Sequence, residues 1–353
     1  MTGPAEEADD TPVVVRFAAL GDAVLLTALL DGLAQRYGRP VDVLTSGAWA
    51  ETILGSQPFV RQVRTVSSRK RPYLLTPSQW QAVAWLRRRR GAVWLCDPEP
   101  AARRLVERAV PLNRLRALWD RWPGEDVHWA DWWYAAGRDL PIEPGAGRPV
   151  WHCPRAWQDD AREWLLARRV PVATQLVLLQ PGSKRTSRRF SLRRQDNDKF
   201  WPVERWARVA VEVLAEDPSC FVVLCGTPRE ADITADITRS AAAAGVDRAR
   251  LIDAATELPL ARLAGLASFA SAMISVDTGP AHLAAALDCP VIVLFGRHGY
   301  RRWVPRAPAA EVIPLGSGEW RSDGHVAQIT VAEVVEAWCR LRKRAREASL
   351  ARA

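Results

Sequence analysis

Apolar positions along the chain fall into short runs separated by segments of helical spacing, and the alternation repeats in each half. Val13 to Phe17 is a near-continuous apolar strand interrupted by one arginine, and Asp22 to Tyr37 then places Val24, Leu25, Ala28, Leu29 and Leu33 on one helical face. Strands at Val41 to Leu44, Val60 to Val66 and Ala92 to Cys96 alternate with helices at Ser46 to Gly55 and Gln79 to Arg89. Strand, helix, strand at this spacing predicts a parallel sheet covered by helices. Trp-rich helical pieces follow, including His128-Trp129-Ala130-Asp131-Trp132-Trp133-Tyr134. Gly137 to Pro154, with four prolines and three glycines, breaks the pattern as a linker or domain edge.

After a helix at Arg155 to Arg169 the alternation starts afresh. Strands are predicted at Gln175 to Gln180, Cys220 to Cys225, Ala272 to Val276 and Pro290 to Phe295. Helices are predicted at Val203 to Glu216, Arg229 to Ala244, Pro259 to Ala267 and Pro280 to Leu287, giving a second doubly wound sheet. A last helix, Val331 to Arg346, carries Val331, Val334, Val335, Trp338 and Leu341 on one face, which should dock on the body. The boundaries are a polar tail over 1–12, an N-terminal domain over 13–165, a C-terminal domain over 172–330 and the terminal helix over 331–353. Two open α/β domains in tandem would place their ligand crevices at the carboxyl ends of their strands, facing a shared cleft.

At 353 residues and 48% hydrophobic, the chain is long enough for two cores. No apolar run reaches the ~20 residues needed to cross a bilayer. The first twelve residues are acidic where a signal peptide would be basic, so the expectation is a soluble cytoplasmic protein. The six cysteines are scattered without a CxxC pair, and four lie in or beside apolar segments, which predicts buried thiols. Net charge is +9, concentrated at Arg61 to Arg71, Arg87 to Arg90, Lys184 to Arg194, Arg297 to Arg306 and Arg340 to Arg346. Such clusters suit nucleic acid, an anionic membrane surface or a phosphorylated glycolipid, or are simply a solvated Arg-rich surface.

The candidate chemistry sits at strand ends. Asp277-Thr278-Gly279-Pro280-Ala281-His282-Leu283 follows an apolar strand and opens a Pro-initiated helix, whose backbone N–H groups and dipole suit a diphosphate. The alternative is an ordinary turn capped by Asp277 or Thr278. Gly21-Asp22 ends the first strand, with Asp22 either a helix cap or a general base for an acceptor hydroxyl. Gly182 and Ser183 follow the strand ending at Gln180, and Lys199 precedes the next helix, where it could neutralise a leaving diphosphate or lie on the surface. Glu230, after Gly226, can take a ribose diol or serve the helix dipole. A GxGxxG fingerprint is missing, which disfavours a dinucleotide oxidoreductase, and no nucleophilic triad is visible. Asp196-Asn197-Asp198 has the DxD form of a metal site but lies in a polar, Arg-rich loop rather than at a strand end, so no metal or other cofactor is expected.

Leu20-Gly21-Asp22, then Pro181-Gly182 with Lys199-Phe200-Trp201-Pro202, then Asp277 to Leu287, in that order, resemble glycosyltransferase family 9, whose best known members are ADP-heptose:lipopolysaccharide heptosyltransferases. The resemblance implies a GT-B fold of two Rossmann-like domains, with the acceptor on the N-terminal half and the sugar nucleotide on the C-terminal half. It implies an inverting, metal-independent transfer of heptose from ADP-heptose to a phosphorylated lipopolysaccharide core. On that pattern Asp22 is the base. Lys199 then contacts the donor phosphates, Glu230 lies near the nucleoside, and Asp277, Thr278 and Gly279 touch the sugar and diphosphate; Gly182, Ser183, Pro280 and His282 are further candidates for binding the donor, and Gly21, Arg61 and Arg64 are candidates for meeting the anionic glycolipid acceptor. The implied setting is the cytoplasmic face of the inner membrane, contacted transiently, with no nucleic acid partner. The segment from Lys184 to Asp198 is longer and more basic than the family's usual link. A family member using another nucleotide sugar and acceptor is the alternative, as is a non-catalytic basic protein binding nucleic acid or membrane.

Overall fold

The computed structural model describes residues 9–68, 73–124, 126–171, 174–184, 197–296, 300–316 and 326–350. The chain divides into two compact units, Met1–His152 and Cys153–Ala353.

The first unit is a five-stranded parallel sheet in the order β3-β2-β1-β4-β5. Its elements are β1 (Val13–Val15), α1 (Leu20–Tyr37), β2 (Val41–Thr45), α2 (Trp49–Gly55), β3 (Val60–Thr65), α3 (Pro77–Arg87), β4 (Val93–Leu95), α4 (Pro100–Glu107), β5 (Leu115–Ala117) and α5 (Trp129–Arg138). Val13, Val14 and Val15 are wholly buried, as befits a central parallel strand covered on both faces. The end of the expected polar tail belongs to this unit, since Asp9 pairs with Arg61 and Arg89. The Pro/Gly-rich stretch after α5 is pinned back as well: Asp131 accepts the N–H of Gly145 at 3.0 Å and of Gly147 at 2.7 Å.

The second unit begins with α6 (Arg155–Leu166) and builds a six-stranded parallel sheet in the order β11-β10-β9-β6-β7-β8. Its other elements are β6 (Gln175–Gln180), α7 (Val203–Glu216), β7 (Cys220–Leu224), α8 (Ala231–Ala243), β8 (Leu251–Asp253), α9 (Leu260–Ala267), β9 (Ala272–Val276), α10 (Gly279–Ala286), β10 (Val291–Leu294), α11 (Tyr300–Trp303), β11 (Val312–Leu315) and α12 (Val331–Leu350). Helix α6, assigned by its sequence to the N-terminal half, packs on α9, with Arg262 clamping Asp160 at 2.8 and 2.9 Å. Helix α12 docks as expected. Val334, Trp338 and Leu341 join the core that contains Trp201 and Trp206, and Trp201 Nε1 donates to the Ile329 carbonyl at 2.9 Å.

Both sheets share one topology. In each, the first strand of the unit lies between its second and its fourth, so the strand order reverses beside β1 and beside β6. Ligands of open α/β sheets bind at such switch points, outside the carboxyl ends of the strands. Asp22 follows β1, Gly182 follows β6 and Asp277 follows β9.

Candidate functional site

At the carboxyl edge of the first sheet, the lone arginine of the Val-rich strand organises the corner. Arg16 Nη1 donates to the Cys96 carbonyl and Nη2 to Asp22 Oδ1, both at 2.9 Å. The Asp22 side chain is 22% exposed and that of Arg16 only 9%. Helix α1 starts at Leu20 with Ala19 as its N-cap and no side-chain cap, so Asp22 stands in the first turn and is held by Arg16. A carboxylate at a helix N-terminus hydrogen-bonded to a buried guanidinium is held in one orientation. Gly21 lies inside that turn, and the bend that precedes it is made by residues 16–19. Asp97 closes the same rim, accepting the Phe17 N–H at 2.8 Å and the Glu99 N–H at 2.9 Å.

The two arginines expected beside the acceptor are placed differently. Arg61, near the amino end of β3, donates to Asp42 at 2.7 and 2.9 Å and to Asp9 at 2.6 Å. Asp42 is fully buried, pairs with Arg89 at 2.9 Å and lies beside Val13, so this cluster occupies the amino edge of the sheet, opposite Asp22. Burial alone would raise the Asp9 carboxyl, but hydrogen bonds from Arg61 and Thr11, with the charge of Arg89, hold it well below the usual carboxylate range. Its strand position puts Arg64 nearer the carboxyl edge, with its guanidinium 5.4 Å from the Trp85 ring.

In the second unit three turns converge at the carboxyl edge, because β6 is in register with both β7 and β9. Lys199 Nζ donates to the Asp277 carbonyl at 2.9 Å and to Asp277 Oδ2 at 2.6 Å. Buried His282 brings Nε2 to 4.0 Å from Asp277 Oδ1. Thr278 is the N-cap of α10 and, like Asp277, gives it no side-chain cap; Gly279 and Pro280 form the first turn. Asp277 is therefore spent on Lys199, and an ammonium stands at the start of a helix whose leading N–H groups and dipole favour an anion. Asn197 Oδ1 accepts the Lys199 N–H at 3.0 Å, and a side chain on Gly296 would collide with the Asp198 carbonyl at 2.3 Å, so β10 fixes this turn by backbone contact.

Glu230 and Gly182 form the other half of that rim. Glu230 Oε2 accepts the Thr227 N–H at 2.8 Å and its hydroxyl at 2.9 Å, while a methyl on Gly182 would lie 2.4 Å from Glu230 Oε1. Glu230 is 4% exposed. The glycine after β6 is there because the Glu230 carboxylate lies against it. Buried Ser183 follows, and Gln180 Nε2 donates to the Gly182 carbonyl at 3.0 Å. The basic segment from 185 to 196, with Asp196 of the DxD, lies outside the described residues. Among the described residues no cluster of three or more His, Cys, Asp or Glu side chains is arranged to hold a metal ion. Arg16, Asp97 and Thr227 were not singled out from sequence, although one arginine inside a valine run six residues before a carboxylate was a readable signal.

Residues 172–326 match the family model described as glycosyltransferase family 9 (heptosyltransferase). That match falls within the second unit. Lipopolysaccharide heptosyltransferase 1 of Escherichia coli (strain K12) is 30% identical to the chain over 129 residues, which are 34% of this chain and 38% of that protein. The chain thus matches little more than a third of the length of its curated relatives. Among solved structures, E. coli ADP-heptose lipopolysaccharide heptosyltransferase II superposes with a TM-score of 0.71 at 20% identity, covering 95% of this chain and 99% of that one. An E. coli heptosyltransferase solved with ADP gives 0.63 at 18% identity, over 94% and 99% of the two chains. At such identities the likeness is one of fold, the GT-B architecture of two parallel-sheet α/β units. The matched residues span every donor-side candidate, from Gly182 to His282.

Proposed function

We propose that the protein is an inverting glycosyltransferase that moves heptose from ADP-heptose to a phosphorylated lipopolysaccharide core. The observation that carries the reading is the Lys199 ammonium held on Asp277 at the head of α10, within the residues that match the family 9 model. A donor diphosphate competes with Asp277 for that ammonium and takes the first-turn N–H groups of α10. The Glu230 carboxylate beside Gly182 receives the ribose hydroxyls, as acidic residues at nucleotide sites do. The solved relatives described with ADP or ADP-heptose favour an adenine nucleotide over others.

On the first unit, Asp22 acts as general base. It removes the proton of an acceptor hydroxyl as that oxygen attacks the anomeric carbon, and the bond from that carbon to the diphosphate breaks on the opposite face. Attack from one face with departure from the other inverts the anomeric centre. Lys199 and α10 stabilise the negative charge that builds on the leaving ADP, so the step draws on fixed protein charge and needs no metal. Arg16 holds the Asp22 carboxylate in place through its hydrogen bond.

The acceptor is lipid-borne in this reading, and the enzyme meets it at the cytoplasmic face of the inner membrane. Supporting that placement, Leu74 and Leu75 are 77% and 75% exposed, and Trp80 is 44% exposed, on the corner that follows the carboxyl end of β3. No helix among the described residues is long and apolar enough to cross a membrane.

Thermal shift with ADP, ADP-heptose, UDP-sugars and GDP-sugars tests the donor assignment. A ligand that binds only the folded state at ~100 times its Kd adds ~2.7 kcal/mol. ADP-type ligands should raise Tm by several degrees and the others should not. No shift with any nucleotide overturns the reading, and a shift with UDP or GDP ligands alone moves it to another donor.

A further inference from the structure

Five indoles gather in the first unit, three of them buried in its core and two half-buried. Trp129, Trp132 and Trp133 on α5 are 4%, 3% and 2% exposed. Trp119 and Trp122 are half-buried and lie in the short helical turn after β5 and just beyond it, which places them at the carboxyl end of that strand. Trp122 stacks on Trp129 with centroids 4.3 Å apart and planes at 24°, and Trp119 is parallel to Trp122 within 3° at 5.6 Å. The Arg16 guanidinium lies 5.7 Å from the centroid of Trp129 and holds Asp22 at 2.9 Å. The indole stack therefore leads from the solvent rim to the guanidinium that orients the proposed base.

We infer that Trp119 and Trp122 form a platform on which a pyranose ring of the acceptor stacks, the inference resting on the glycosyl-transfer reading above. A pyranose presents a face of C–H groups that packs on an indole, and a rigid ring with two torsions gives contact area at small entropic cost. The rim position suits a sugar: both indoles pack on the α5 tryptophans yet remain partly wet, and a saccharide covers the apolar surface they leave exposed while its own hydroxyls stay in water. Stacking also fixes the ring plane, so that one hydroxyl is directed toward Asp22 while neighbouring ones are not.

The test uses Trp122→Ala, Trp119→Ala and the conservative Trp122→Phe, with deacylated, heptose-free lipopolysaccharide core as acceptor and ADP-heptose as donor. The alanine variants should raise the acceptor KM tenfold or more, leave the ADP Kd within twofold of wild type, and keep the melting profile; Trp122→Phe should restore most of the affinity. An unchanged acceptor KM in both alanine variants, or an equal loss of ADP affinity, overturns the platform. Where an alanine variant does not fold, Trp122→Phe and Trp122→Gln are compared, and equal acceptor KM values count against it. Binding of the same glycan, followed by tryptophan fluorescence without donor, separates the two readings. Binding that depends on Trp122 without any transfer keeps the platform and sinks the transferase, whereas transfer with no dependence on Trp122 does the reverse.

Discussion

Replacing Gly182 by alanine should damage the second unit in a way that can be worked from its geometry. The added methyl would lie 2.4 Å from Glu230 Oε1, 2.6 Å from its Cδ and 3.0 Å from its Cγ, where ordinary contacts begin at 3.4 Å. Glu230 must therefore retreat by about 1 Å at the carboxylate, a displacement that overpacks a site 4% exposed. It cannot do so and keep both hydrogen bonds from Thr227, at 2.8 and 2.9 Å. Hydrogen bonds to a charged group contribute ~1.5–3 kcal/mol each, and overpacking costs ~1–3 kcal/mol. With one bond lost and partial relaxation the cost is ~2–4 kcal/mol, or roughly 5–15 °C in Tm for a unit of this size. Differential scanning fluorimetry and an ADP titration measure the two effects together. Glu230→Asp in the Gly182→Ala background, shorter by one methylene, should recover part of the stability. Gly296→Ala should cost more than Gly182→Ala, since its methyl meets the Asp198 backbone carbonyl, which cannot swing away. A Gly182→Ala protein that melts within a degree of wild type and binds ADP as tightly would refute the reasoning.

Arg61→Met should lower the Tm of the first unit without changing the acceptor KM. The buried Asp42 keeps Arg89 and Gln62, so the loss is ~1–3 kcal/mol, below that for orphaning a buried charge. A raised acceptor KM would return Arg61 to the acceptor site. Asp9 is depressed in the folded state, so its contribution to stability is full above the unfolded carboxylate range and is lost as pH falls below ~4; acid titration of Tm should show that loss weakened in Asp9→Asn. Burial pushes the Cys220 and Cys289 thiols up to about 12 and raises those of Cys96 and Cys225 further. Ellman's reagent should therefore label exposed Cys339 and half-buried Cys153 in the native protein, and the other four only in denaturant; rapid labelling of six would contradict the packing. Leu74→Asp with Leu75→Asp should abolish co-sedimentation with phosphatidylglycerol vesicles and leave transfer to a deacylated acceptor intact. Equal sedimentation of the variant would remove that corner from the membrane contact.

The central strands were legible because they are short Val-, Leu- and Ile-rich runs buried on both faces, a pattern that needs no knowledge of neighbours. The edges were not. Strand β5 is Leu-Arg-Ala, β8 is Leu-Ile-Asp and β11 contains Pro314, so each is too short or too polar to show a period, and pairing with a preformed neighbour makes it a strand. Within the site, Asp277 to Pro280 announced themselves as a Gly-Pro restart after an apolar strand. The clamp between Lys199 and Asp277 spans 78 residues and exists only because β6 lies beside β9. Arg61 read as free positive charge because its acidic partner Asp42 lies 19 residues away on the adjoining strand. Asp22 read as a helix cap as well as a base; in the structure Ala19 is the N-cap, and Asp22 stands in the first turn against Arg16.

The proposed transfer from an ADP-sugar rests on Asp22 as base and Lys199 at the leaving diphosphate. Its most direct test is ADP release from ADP-heptose in the presence of heptose-free lipopolysaccharide core, comparing wild type with Asp22→Asn, a near-isosteric change that keeps the contact to Arg16 but cannot take a proton. Wild type should release ADP only with acceptor present and form an inverted anomeric linkage, and Asp22→Asn should lose at least about a hundredfold in rate with ADP affinity retained. Full turnover by Asp22→Asn, or no ADP release by wild type, would contradict the proposal.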